Sequence, residues 1–137
     1  PKIHDRILQI QDRVLAHLTH SNVVKRITDS GLYGNDYGLT AMMRDLTDAV
    51  FKADLRDDVN TRRQNLQLAY VDRLGGMLVG KSAKGYDRVA QSSALAMLER
   101  IDGWMEDAAR RGDDATRAHR RHVRFVIERI LDADLGE

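Results

Sequence analysis

The chain has 137 residues, of which 42% are hydrophobic and 31% charged, a composition typical of one folded globular domain and unlike that of a disordered tail. Its 22 basic and 21 acidic side chains give a net charge of +1, whereas a dedicated nucleic-acid-binding protein has a larger basic excess. The sequence contains no cysteine, which excludes disulfides and cysteine-based catalysis or metal binding, and no apolar run approaches the ~20 residues that span a bilayer.

The first predicted helix covers about residues 3–20. Its apolar residues recur at steps of three and four, which is the pattern of an amphipathic helix. The stripe consists of Ile3, Ile7, Ile10, Val14 and Leu18, widened by Leu8 and Leu15. Ser21 and Asn22 interrupt this pattern, and the apolar residues that follow predict a short helix near residue 25.

A predicted loop separates these helices from the next one. Residues 29–38 are rich in glycine, asparagine and aspartate, and the sequence alone assigns no role to the segment from Gly31 to Gly38. Thr40 can cap a third helix that ends near Ala53. The polar stretch over residues 54–60 has the composition of a turn.

A longer helix is predicted after this turn. Asn60 or Thr61 can cap it, and the segment from Gly80 to Gly85 closes it. Its apolar face consists of Leu66, Tyr70, Leu74 and Met77, flanked by Val71 and Leu78.

Two further helices complete the chain. One is predicted from about Asp87 to Ala109, and Gly112 ends that segment. Asp113 or Asp114 can cap the last helix. Its apolar face consists of Val123, Val126, Ile127, Ile130 and Leu131.

The sequence therefore predicts an all-α fold. No stretch shows the alternation of a strand, and short connections favour antiparallel neighbours, so we expect a bundle of about five to six mostly antiparallel helices. We expect residues 1–137 to form a single helical domain. Because the chain begins at Pro1 without a methionine, we interpret it as a fragment of a longer protein.

One segment matches a nucleotide-binding pattern. Residues Gly75 to Ser82 satisfy G-x-x-x-x-G-K-S, in which glycine amides surround phosphates, the lysine neutralises charge and the serine reaches Mg²⁺. Such a loop follows a buried strand and opens a helix. Here the preceding residues have helical periodicity, so we favour a glycine-rich helix end followed by a turn.

Histidines and arginines offer two weaker candidates. His17 with His20, and His119 with His122, are spaced to share a helix face, but a zinc site requires three or four ligands. We therefore expect solvated or partly packed histidines and no metal site. The basic segment from Arg110 to Arg124 can meet phosphates or an acidic surface, but interspersed acids favour a solvated, salt-bridged helix face.

A more specific signal lies in the fourth predicted helix. The segment from Thr61 to Leu74 resembles an RRNLQ..YV..L helix of the C-terminal region of large bacterial zinc-dependent metalloproteases of the met-zincin type. Residues 10–18, 24–29 and 46–51 resemble the same region in the same order. The resemblance covers about residues 5–110 and contains no catalytic signature.

The resemblance implies a function for the parent protein. In that family the protease domain carries an extended H-E-x-x-H-x-x-G-x-x-H zinc motif, whose histidines bind zinc and whose glutamate is the general base. This chain has none of these positions, so no catalytic, cofactor-binding or metal-ligating residue carries over, and zinc is expected in the parent's protease domain. The family is typically exported in Gram-negative bacteria, which implies a periplasmic or extracellular parent.

The resemblance implies that this chain is a non-catalytic C-terminal helical accessory domain. Such a domain packs on the protease domain of the same polypeptide or recruits a partner. Arg62, Arg63, Gln67 and Tyr70 are candidates for a docking face because they are polar or amphipathic on a patterned helix. In the other interpretation the two arginines pair with neighbouring acids and Tyr70 packs inside.

Two alternatives to an accessory domain remain at this point. The chain can be a free-standing helical interaction module, which a short reading frame starting near Pro1 would indicate. It can also be a nucleotide binder that uses Gly75 to Ser82, which saturable MgATP binding lost in Lys81→Ala would indicate.

Overall fold

The computed structural model describes residues 2–30, 36–51 and 61–135, with backbone alone for residues 2–5, 18, 27–30, 36–37 and 134–135. Six α-helices and one 3₁₀ helix account for the regular structure of these ranges. They are α1 (Lys2–Leu18), α2 (Ser21–Ser30), α3 (Asp36–Phe51), α4 (Thr61–Leu78), the 3₁₀ helix (Lys81–Gly85), α5 (Arg88–Ala108) and α6 (Asp114–Leu135). The predicted all-α bundle is confirmed.

The start of α3 differs from the prediction. Thr40 is not its N-cap, because α3 begins at Asp36 and Thr40 lies inside the helix. The Thr40 hydroxyl lies 2.7 Å from the Ser93 hydroxyl, so it joins α3 to α5. Most of the predicted loop from Gly31 to Gly38, at residues 31–35, and the predicted turn at 54–60 with Asn60 lie outside the described residues.

Helix α4 is the centre of the bundle. It packs against α1, α3, α5 and α6, and α5 in turn packs against α3 and α6. The apolar face predicted for α4 is buried: Leu66, Tyr70, Val71, Leu74, Met77 and Leu78. Because four helices cover α4, its polar side chains that point inward need partners from those helices.

Helix α1 has apolar residues on two of its sides. Leu8 and Leu15 are buried against the bundle, whereas Ile7 and Ile10 are 47% and 54% exposed. Positions 8 and 10 lie about 200° apart around a helix, so the predicted stripe through Ile7 and Ile10 faces outward. Leu8 and Leu15, which the sequence pattern places beside that stripe, form the face that packs.

Two helices begin at aspartate caps. The Asp87 carboxylate accepts a hydrogen bond from the Ala90 amide at 2.9 Å, and the Asp113 carboxylate accepts one from the Thr116 amide at 2.8 Å. Of the two caps proposed for α6, Asp113 is therefore the cap. The amide of Thr116 lowers the pKa of Asp113 because it stabilises the ionised carboxylate.

Two glycines shape the end of α4. Gly80 has a φ of 86°, a left-handed conformation that turns the chain from α4 into the 3₁₀ helix. Gly75 lies where α6 crosses α4, and a Cβ at this position would come 2.6 Å from Ile130 Cδ1. The first glycine sets the end of α4 and the second sets its distance from α6.

Replacing Gly80 by alanine tests the first requirement. No heavy atom lies within 4 Å of the added Cβ, so the cost arises from the positive φ alone and is about 1 kcal/mol of unfolding free energy. Gly103, inside α5 and equally open, is the matched control, because Gly103→Ala gains helix propensity and stabilises by up to ~1 kcal/mol. Urea denaturation measures the change in unfolding free energy of each variant. Changes of the same sign and size in both variants would contradict the role assigned to the positive φ of Gly80.

Candidate functional site

The four residues of the candidate docking face lie at different depths. Arg62 is exposed and Arg63 is half-buried near the start of α4. Gln67 and Tyr70 are 0% and 1% exposed and belong to the interior. The structure therefore brings only the two arginines to the surface, where the docking hypothesis remains a prediction, and Tyr70 packs as the other interpretation expected.

Gln67 connects three helices from inside the core. Its Nε2 donates to the Val50 carbonyl in α3 at 3.1 Å. Its Oε1 lies 2.7 Å from Nε2 of His119 in α6. Since Oε1 only accepts, His119 donates, and the ring carries its proton on Nε2. The amide thus satisfies one acceptor in α3 and one donor in α6.

Tyr70 anchors α3 one turn further along α4. The Thr47 hydroxyl donates to the Met43 carbonyl at 2.6 Å, so it accepts from the Tyr70 hydroxyl, which lies 2.6 Å away. Burial raises the pKa of Tyr70 to about 12, more than the hydrogen bond with Thr47 lowers it. The phenol is neutral at physiological pH, and its role is structural.

His119 is held in the neutral form. Burial, followed by the nearby His122 and Arg120, lowers the pKa of His119 from 6.5 to about 4. Its side chain is only 8% exposed, in contrast to the sequence-based expectation of a solvated or partly packed ring. The pairing with Gln67 had no signal in the sequence, because the two residues lie 52 positions apart.

The lowered pKa of His119 predicts acid sensitivity. Between pH 6.5 and pH 4 the unfolded chain binds a proton at His119 and the folded chain does not, so stability falls across this window by up to about 3 kcal/mol. Above pH 6.5 this histidine contributes no pH dependence. Urea midpoints measured from pH 7.5 to pH 4.5 should fall more steeply for the wild type than for His119→Gln.

A control for this series is His17→Gln. His17 is exposed on α1, and the lowered pKa of His119 arises from burial, His122 and Arg120, so replacing His17 should leave the steep acid dependence in place. The assignment to His119 is wrong if His119→Gln and the wild type lose stability in parallel.

The four histidines of the two pairs lie at different depths. His17, His20 and His122 are exposed, whereas His119 points into the core. Within residues 2–30, 36–51 and 61–135, no three histidine, aspartate or glutamate side chains come together as a group that could hold a metal ion.

The segment from Gly75 to Ser82 does not form a phosphate-binding loop. Its first four residues are the last turn of α4, and the 3₁₀ helix begins at Lys81. The Ser82 hydroxyl donates to the Gly76 carbonyl at 2.7 Å, which closes the turn back onto α4. The interpretation as a helix end followed by a turn is confirmed, and no strand precedes it among the described residues.

The arginines of the basic segment divide into three groups. Arg117 pairs with Asp114, and Arg124 lies 3.3 Å from Asp102 of α5, as expected of a salt-bridged helix face. Arg110, Arg111 and Arg121 are exposed. Arg120 contradicts the expectation of a solvated face, because it is 0% exposed.

Arg120 closes the carboxyl end of α5. Its Nη1 donates to the carbonyls of Ala108 and Arg111 at 2.8 and 2.6 Å. The last carbonyls of a helix carry partial negative charge and have no partner within the helix, so a guanidinium there stabilises the end. Arg120 therefore joins α6 to the carboxyl end of α5.

Replacing Arg120 by alanine should destabilise the bundle. The change removes the donor to two carbonyls and leaves a cavity, with an expected loss of about 2–4 kcal/mol in unfolding free energy. The neighbouring exposed Arg121 is the control, and Arg121→Ala should change it by less than about 0.5 kcal/mol. Comparable losses in the two variants, measured by urea denaturation, would argue against the end-capping role.

A groove between α1 and α4 lies beside the candidate residue Arg62. It has a volume of about 320 Å³. Leu8, Leu66 and Ala69 form its apolar floor, and Gln9, Asp12, Asn65 and Arg62 form its polar rim. Gln9 also borders a smaller depression with Arg6, Ile10 and Arg13. The groove and the outward side of α1 are thus continuous.

Sequence reasoning missed the outward side of α1. The available signal was the presence of two apolar stripes on one helix, Ile7 with Ile10 and Leu8 with Leu15. A helix at the edge of a bundle buries one stripe, and the pattern alone does not say which.

Comparison with known proteins bears on the first half of the chain. Residues 1–58 match a protein-family model described as Met-zincin. The resemblance to the met-zincin family is confirmed for this part, which contains α1, α2 and α3. The Thr61 to Leu74 segment that first indicated the family lies outside the match. No curated protein and no solved structure matches the chain.

No helix in the described part of the chain is both long and apolar enough to cross a membrane.

Proposed function

We propose that this chain is a non-catalytic helical accessory domain of a zinc-dependent metallopeptidase and packs on the protease domain of the same polypeptide. The observation that carries the proposal is the match of residues 1–58 to the Met-zincin family in a chain that forms an α-helical bundle. The zinc and the general base belong, in this proposal, to the protease domain.

The chemistry of peptide hydrolysis supports this division of labour. A zinc peptidase needs three protein ligands, an open fourth position and an activated water. The described residues bring together no such ligand group, and the buried Gln67, Tyr70 and His119 are all engaged in hydrogen bonds between helices. What the bundle offers is a set of rigid helical surfaces that can hold a neighbouring domain.

The proposal is tested with the zinc domain of the parent protein. The purified chain and the separately expressed protease domain are mixed and their association is measured by calorimetry, with peptidase activity followed in parallel. We expect saturable one-to-one binding. Absence of binding, or a reading frame that starts near Pro1 with no zinc domain, would favour the free-standing interaction module.

The candidate docking arginines give a sharper version of this test. Arg62→Ala with Arg63→Ala should weaken the association about tenfold or more while the bundle stays folded, because both substitutions lie at the surface end of α4. Arg110→Ala with Arg111→Ala is the matched control, since that exposed arginine pair lies beyond the end of α5. Unchanged association in the first variant would remove the arginines from the docking face.

We further propose that the parent is exported and acts in the periplasm or outside the cell, as the family resemblance implies. A tagged parent protein should then fractionate with the periplasm or the culture medium. Recovery in the cytoplasmic fraction would contradict export.

A further inference from the structure

A small polar pocket lies where the turn between α1 and α2 meets the end of α4. Its volume is about 230 Å³. The residues of this pocket that matter for binding come from four segments distant along the chain: Thr19, His20, Arg73, Gly76, Ser82 and Tyr86. Pockets for drug-sized ligands measure about 300–1,000 Å³, so the pocket suits a smaller group.

The pocket has donors on one cationic and one neutral side chain. Among the described residues that line it, none is acidic, and Arg73 supplies a permanent positive charge. The Asp12 carboxylate lies 4.0 Å from Arg73 Nη2, beyond hydrogen-bond distance, so the guanidinium keeps donors for a further group. His20 Nδ1 accepts from the Asn22 amide at 3.2 Å, so the neutral ring donates through Nε2.

Two hydroxyl groups of the pocket use their hydrogens elsewhere. The Ser82 hydroxyl donates to the Gly76 carbonyl at 2.7 Å, and the Tyr86 hydroxyl donates to the Thr19 carbonyl. Each oxygen therefore accepts, and does not donate, any further hydrogen bond. Burial raises the pKa of Tyr86, and the nearby charge of Arg73 partly offsets that rise, so the phenol and the guanidinium lie close together.

Gly76 leaves space at the α4 side of the pocket. A Cβ at this position would lie 3.3 Å from the Ser82 Oγ, which is closer than ordinary van der Waals contact. The glycine thus allows the Ser82 hydroxyl to approach α4 and keeps a side chain out of the pocket.

We propose that this pocket binds a carboxylate, and that the carboxylate is the carboxyl terminus of a peptide. The fork of Arg73 pairs with the carboxylate, and His20 donates to the same group. The last amide N–H of a peptide lies close to its terminal carboxylate, and the Ser82 and Tyr86 oxygens can accept from it. A phosphate dianion fits less well, because the pocket has one permanent positive charge and two oxygens that do not donate.

Peptide hydrolysis is a source of such a ligand. Cleavage of a peptide bond by water leaves one product with a new carboxylate and the other with a new amine. In the parent peptidase, the pocket therefore binds the product that carries the new carboxyl terminus. This link to the reaction rests on the proposed function, whereas the chemistry of the ligand rests on the pocket alone.

The test is a titration of the purified chain with acetyl-alanyl-alanine and with its carboxyl-terminal amide, followed by NMR. We expect saturable binding of the free acid and at least about tenfold weaker binding of the amide, which has no charge to pair with Arg73. Shifts of the Ser82 and Tyr86 amide resonances locate the ligand. Sodium acetate and inorganic phosphate are the two further probes.

Variants of Arg73 test the pairing. Arg73→Gln should weaken binding of the free acid about tenfold or more, because it removes the charge and the fork. Arg73→Lys keeps the charge and loses the fork, so its loss should be smaller. Arg121→Gln is the matched control, since Arg121 is an exposed arginine of α6 outside the pocket. The urea midpoint confirms that each variant is folded.

Each outcome decides the inference. Binding of the free acid that Arg73→Gln weakens and Arg121→Gln leaves unchanged supports it. Acetate binding as tightly as the peptide would assign the pocket to free carboxylates and overturn the peptide terminus. Equal affinity for acid and amide, tighter binding of phosphate, or no binding of any probe overturns the inference as a whole. Association with the protease domain is measured separately, so the accessory role and this pocket can fail independently.

Discussion

Two polar side chains of α4 lie inside an apolar core, and the positions of α3 and α6 follow from satisfying them. Gln67 has one end on the Val50 carbonyl and the other on His119, and Tyr70 reaches Thr47. A buried amide or hydroxyl without a partner is costly, so a slip of either neighbour along α4 is penalised in a way that purely apolar contacts would not penalise it. The hydrogen-bond network therefore fixes the axial register of α3 and α6 against α4.

The proposed accessory role depends on this rigidity. A helical surface can hold a neighbouring domain only if its helices keep their positions. Helices of this bundle are joined inside or near the core by the polar network, by the Arg120 contacts at the end of α5 and by the bidentate pair between Arg100 and Asp48. Helix α1 packs against this framework through its buried Leu8 and Leu15.

The sequence predicted the positions of the helices better than the contacts between them. Periodicity identified α4, α5 and α6 and most of their buried residues, because apolar spacing and aspartate caps are local signals. It could not rank the two stripes of α1, and it placed a cap at Thr40, whose hydroxyl instead contacts Ser93. The burial of two candidate site residues was also not predictable. Gln67 and Tyr70 have polar groups, and their hydrogen-bond partners inside the core lie far away along the chain. Burial of Arg120 likewise depends on where α5 ends.

The match to a nucleotide-binding pattern in an all-helical chain has a structural origin. Gly75 is small because Ile130 crosses α4 there, and Gly80 is a glycine because the chain reverses there. These two demands arise whenever a helix meets a close neighbour just before it ends, and they place small residues about one and a half turns apart. Lys81 and Ser82 in the following turn then complete the match to the phosphate-loop pattern. Helix packing and chain reversal alone are sufficient to place glycines at this spacing.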